Sequence, residues 1–111
     1  MSIETRVFLG VLRGMLSGFA AARERACDEV TDLTAEWSAQ QTGVLVAVMC
    51  WLAAEESDPD AFEAELHAVS ELVENREVER RDFQGVLAVD RNKLSGSTVE
   101  YFDYLVSMLE G

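Results

Sequence analysis

Apolar residues at Ile3, Val7, Phe8, Val11, Leu12, Met15, Leu16 and Phe19 recur every three or four positions, the period of a helix that buries one face. The spacing predicts a first helix from about residue 3 to about residue 27. Val30, Leu33 and Trp37 keep the same period, so this helix either runs on to Ser38 or breaks near Thr31, whose hydroxyl can cap a restart; a bend is the expectation. After Gln40, Gln41 and Gly43, residues 44–56 are apolar on nearly every side, which predicts a central helix buried all round. Ser57-Asp58-Pro59-Asp60 then has the features of a helix start: a capping side chain, proline at the first helical position and acid in the first turn. The helix that follows, to about Asn75, places Phe62, Leu66, Val69 and Val73 on one face and Glu63, His67, Glu71 and Glu74 on the other. Val78, Phe83, Val86 and Leu87 mark a further helix over about 77–89, separate from its predecessor or continuous with it near Asn75. Leu94-Ser95-Gly96 is a loop, and Ser97 with Glu100 fits a capping box opening a last helix that runs to about Leu109. No strand-like alternation, hairpin dipeptide or internal repeat competes with this pattern. The predicted fold is therefore a single all-α domain, a compact bundle of four to five helices whose first helix is long and glycine-containing.

A chain of 111 residues, nearly half of them hydrophobic, can build one core and is too short for two domains. Its longest uninterrupted apolar run, residues 44–54, falls well below the roughly 20 residues that span a bilayer. The apolar N-terminal stretch is broken by Arg13 and has no basic segment before it, so no signal peptide or membrane anchor is expected and the expected location is cytoplasmic. Cys27 and Cys50 lack the CxxC spacing of a zinc or redox site and fit reduced core thiols. His67, the single histidine, has Glu63 and Glu71 one turn away on either side, an arrangement that favours its charged form as a salt-bridged surface residue. A metal centre draws ligands from several helices, so no metal is expected there. Asp90 and Asn92 begin a run like a calcium loop, but Leu94 stands where a third oxygen ligand belongs. With no glycine-rich phosphate loop, and no base for a serine or cysteine except His67, neither catalysis nor a cofactor is expected.

Charge adds the feature that bears on function. The chain carries 21 acidic and 9 basic residues, a net charge of −12. Residues 55–82 hold 11 acids against Arg76, Arg80 and Arg81, whereas residues 1–30 balance four acids with four arginines. Carboxylates four apart on a helix rise by about 6 Å per step, a spacing comparable to phosphates along a nucleic-acid strand. The expected partner-binding face comprises Glu55, Glu56, Asp60, Glu63, Glu71, Glu74 and Glu77. Its expected partner is a protein with a basic surface, such as a nuclease, helicase or toxin, inhibited by occlusion or phosphate mimicry in the manner of phage anti-CRISPR and anti-restriction inhibitors or toxin-immunity proteins. Direct binding to nucleic acid or to a membrane is opposed by the charge. Simple solvation of a helix face, and an acidic composition adapted to salt, compete with this reading.

The alternative function rests on Gly10, Gly14 and Gly18, three glycines at four-residue spacing, each costing about 1 kcal/mol in helix propensity relative to alanine. Such a strip admits the close approach of another backbone: the helix at residues 44–54, a second copy in a homodimer, or a partner. A homodimer seam here would make the protein a structural or adaptor module.

Overall fold

In a computed structural model the described residues, 4–111, form six α-helices: α1 (Thr5–Met15), α2 (Ala20–Asp32), α3 (Ala39–Glu55), α4 (Pro59–Asn75), α5 (Arg80–Phe83) and α6 (Ser97–Glu110). Short 3-10 segments occupy Gln84–Ala88 and Arg91–Lys93, and the described residues contain no strand. The all-α class is as expected, with six helices in place of four or five. The expected start of the first helix at Ile3 lies outside the described residues.

The long first helix is not formed. α1 ends after 11 residues, and α2 begins beyond the turn Leu16-Ser17-Gly18-Phe19. Serine and glycine are poor at continuing a helix, the one because its hydroxyl competes for backbone groups and the other because its backbone loses most entropy. Ser17 Oγ accepts the Phe19 N–H at 3.1 Å and holds the turn. Leu16 and Phe19, which continue the apolar period, therefore stand in a solvent-facing turn. A second full stop follows α2 where a bend was expected. There Trp37 is buried and its Nε1–H donates to the Val30 carbonyl at 3.1 Å, while Arg76 Nη1 donates to the Thr34 carbonyl at 2.8 Å.

Ser38 starts α3 with a complete capping box: its Oγ accepts the Gln41 N–H at 3.1 Å, and Gln41 Oε1 accepts the Ser38 N–H at 2.8 Å. Asp58 starts α4 as expected, accepting the Ala61 N–H at 2.9 Å with Pro59 at the first helical position. The central helix is α4 and not α3. It packs against α2, α3 and α6 and buries Phe62, Leu66, Val69, Leu72 and Val73. α3 was expected to be buried on every side, yet Val44 and Trp51 remain 40% and 59% exposed.

The helix expected over 77–89 is a single α-turn passing into 3-10 geometry. Phe83, Val86 and Val89 are buried at a spacing of three, which matches a 3-10 turn better than an α-helix. The Ser97–Glu100 capping box is also absent. Gly96, at φ 57°, precedes α6 in a backbone region that favours glycine, and Ser97 Oγ donates instead to Glu63. Thr98 Oγ1 replaces the box, accepting the Ser95 N–H and donating to the Ser95 carbonyl, each at 2.8 Å.

Candidate functional site

Asp60, Glu63, His67, Glu71 and Glu74 share an arc of about 80° on α4, and from Asp60 to Glu74 the row extends about 21 Å. Asp60, Glu63 and Glu74 are exposed, and His67 and Glu71 are half-buried. The row is fixed from the α6 side. Glu63 accepts a hydrogen bond from Ser97 Oγ, and the His67 ring stacks on Tyr101 with centroids 5.2 Å apart and planes at 28°. His67 Nε2 lies 3.4 Å from Glu71 Oε1, and Asn75 Nδ2 donates to Glu71 Oε2 at 3.2 Å. Of the two flanking glutamates, only Glu71 pairs with the histidine. Further along, burial and then the Glu74 carboxylate raise the proton affinity of Tyr104.

On the other flank α2 adds acids that lie outside the charge run. Partial loss of water, followed by the carboxylates of Asp60, Asp28, Asp58 and Glu63, raises Glu24 above its ordinary value. The ridge is thus two helices wide. Glu24 and Asp28 escaped the sequence reading because residues 1–30 are neutral in sum; their i, i+4 spacing on a polar face was the available signal.

The structure separates the other expected face residues. Glu77 is exposed beyond the end of α4, beside Arg76 and Arg80 at a shared cleft. Glu55 is exposed at the end of α3, on a cleft with Leu16 and Trp51. Glu56 is not part of any acidic face: it is 5% exposed and chelated by Arg23, whose Nε and Nη2 donate to its two carboxylate oxygens at 2.7 Å each. Arg23 also donates through Nη1 to the Ser17 carbonyl at 2.9 Å, tying this pair to the α1–α2 turn.

Glu65, also one of the acids in the 55–82 run, is wholly buried in α4. Neither of its oxygens accepts a hydrogen bond. Burial, and then the adjoining Glu56 carboxylate, push its carboxyl up to about 9, so at neutral pH it keeps a proton that it donates to Glu56. Burial alone would also raise Glu56; hydrogen bonds from Arg23, Glu65 and the Asp58 N–H outweigh it and hold this carboxyl at about 2. Lys93 completes the cluster. Its Nζ donates to the Ala53 and Glu56 carbonyls at 2.9 and 2.8 Å, satisfying the end of α3, and stands 4.7 Å over the Phe62 ring. The cluster joins α2, α3, α4 and the Arg91–Lys93 turn, and its buried, paired geometry is that of a structural joint.

The glycine strip does not exist as a continuous surface. Gly18 lies in the α1–α2 turn, and Gly10 faces open space. Gly14 packs on α2, not on the 44–54 helix: a Cβ there would lie 2.9 Å from Ala26 Cβ. Cys27 and Cys50 are free and buried, and burial pushes both thiols up, Cys50 to about 12. Among the described residues no group of three or more His, Cys, Asp or Glu side chains is placed to hold a metal ion, and no helix is long and apolar enough to cross a membrane. No family model matches the chain, and it matches no curated protein and no solved structure.

Proposed function

We propose that this is a non-catalytic binding protein whose α4 ridge seats on the basic surface of a protein that handles nucleic acid, and so excludes the nucleic acid. The observation that carries this reading is the row Asp60, Glu63, Glu71 and Glu74, about 21 Å long, widened across α2 by Glu24 and Asp28. No arginine or lysine occurs in α4 between Asp60 and Glu74, and Lys93, which borders Asp60 and Glu63 at one cleft, has its ammonium engaged by the Ala53 and Glu56 carbonyls. Solubility requires scattered charge, whereas a concentrated row generates a directed field that speeds encounter with a basic groove and competes for its phosphate contacts. Ser97, Tyr101 and Asn75 hold parts of the row in place, so little side-chain freedom is lost on binding. Occlusion by such a ridge is the mode of action expected of a phage-encoded inhibitor of host defence or of a toxin-immunity protein.

The test compares wild type with the triple variant Asp60→Lys/Glu63→Lys/Glu74→Lys, each tagged and incubated with source-cell lysate at about 50 mM and about 500 mM salt. The expected partner is a basic nuclease, helicase or toxin, retained by wild type at low salt, released at high salt and lost by the variant while helical circular dichroism persists. The purified protein should then displace nucleic acid from that partner. Equal capture by the variant, or a bound partner that keeps its full nucleic-acid affinity, would rule the reading out.

A further inference from the structure

The neighbouring helices α1 and α3 leave apolar surface uncovered. They run side by side in the same direction: the Phe8 ring packs edge-on to Trp37, just ahead of α3, with centroids 6.2 Å apart, and at the far end Leu16 and Trp51 line one cleft of about 320 Å³. Arg6, Leu9 and Arg13 of α1, with Leu16 just beyond its end, follow one another at three- and four-residue steps along an exposed stripe. Val44, Trp51 and Glu55 do the same on α3, with half-buried Val48 between them. Leu9, Leu16 and Phe19 keep 54%, 61% and 79% of their surface in water. With Val44 and Trp51 they present roughly 500 Å², at the upper end of what a monomer leaves open.

From this we infer that two copies of the chain associate through the α1–α3 face, each α1 lying on the α3 of the other. Charge complementarity selects this occupant. α1 contains no acid, and its Arg6 and Arg13 form no ion pair among the described residues; α3 contains one acid, Glu55, at its exposed end. A two-fold axis therefore sets an arginine-edged apolar stripe against an apolar stripe ending in glutamate, twice over. The remaining acids, which carry the net charge of −12, lie outside these two helices, where repulsion between copies is weakest. Two such faces bury about 1,000 Å² of apolar surface, the least that a specific interface requires and the size of a weak, reversible one. The inference is independent of the acidic-ridge reading, since no α4 residue contributes to the seam.

Sedimentation equilibrium on the full chain tests it. Wild type should be dimeric at about 100 µM, as a complex of micromolar Kd is, and should stay dimeric when salt is raised. Trp51→Glu and Leu16→Asp should each weaken association at least 100-fold without loss of helical signal, because both side chains already face water. Arg13→Glu should weaken it about 10-fold, and adding Glu55→Arg should restore it. Trp37 is buried and Trp51 is not, so wild-type emission should move to shorter wavelength with concentration, and Trp51→Phe should abolish the change. A monomer at about 100 µM overturns the inference, as does a dimer indifferent to both Trp51→Glu and Leu16→Asp. Continued dimerisation of the Asp60/Glu63/Glu74 variant would separate this result from the fate of the ridge.

Discussion

Glu65 and Glu56 are close neighbours with opposite proton affinities, and the difference sets the pH dependence of stability. Folded Glu65, raised from 4.5 to about 9, holds a proton across that window that the unfolded chain has released. Stability from this group is complete below 4.5 and is lost as pH rises toward 9. Folded Glu56, lowered from 4.5 to about 2, has already shed its proton where the unfolded chain still binds one, so its contribution is present above 4.5 and is lost as pH falls toward 2. The protein should therefore resist urea better near pH 4.5 than at pH 8; a higher midpoint at pH 8 would contradict the Glu65 assignment. Glu65→Gln keeps the shape and a donor for Glu56 without the titration, and should raise stability at pH 8 by about 1–2 kcal/mol while flattening the pH profile. Arg23→Met leaves Glu56 buried and unpaired and should cost about 3 kcal/mol in the same measurement. Glu65 was discernible from sequence, because it falls inside the apolar arc of Phe62, Val69 and Leu72. Its link to Arg23, 42 positions earlier, was not, since no local spacing connects them.

At the scale of elements, helix boundaries followed the local chemistry where that chemistry was strong. Asp58-Pro59 begins α4 as its residues imply, and Ser38 with Gln41 begins α3 through a capping box that lies ahead of the apolar run at 44–54. Ser38→Ala should cost about 1 kcal/mol, measured as a shift in the urea midpoint. Glycines 10 and 14, equivalent in sequence, separate in the fold. Gly10→Ala should stabilise by about 0.5–1 kcal/mol, since a methyl group there meets nothing within 4 Å. Gly14→Ala should destabilise by about 1–3 kcal/mol, since its methyl would press on Ala26 and force α1 off α2. Equal effects at the two positions would disprove the close α1–α2 contact. The apolar period over residues 3–19 hid the turn at Ser17-Gly18, because Leu16 and Phe19 keep the rhythm of a core while lying outside it.

For the whole molecule, thickness explains where surface was left apolar. The chain measures 37 × 34 × 19 Å, and packed helices stand about 8–10 Å apart, so the short dimension holds two layers. A helix in such a slab has one covered face and one open face. α3 is apolar on both, and the open one, with Trp51, meets Leu16 just beyond the end of α1 at a shared cleft. Charge acts at the same scale. A net charge of −12 strains the folded state by self-repulsion, to which the row of acids on α4 contributes, so the melting temperature should rise between about 10 mM and 300 mM sodium chloride. A flat response would mean that the ridge is already neutralised.

The all-α class, the start of α4, the row of acids along it and the burial of both cysteines are written in the order of residues, because helical period, capping chemistry and charge spacing are local properties that neighbours in the chain express. Tertiary structure decided which acids outside the apolar arc of α4 face water. Glu56 leaves the acidic run because Arg23 and a closed core surround it, and Glu24 and Asp28 join the ridge because α2 lies beside α4. It also decided which apolar face stays uncovered. Both outcomes depend on how α1, α2, α3 and α4 pack across long stretches of chain, and that arrangement is set by the competition of all faces for one thin core.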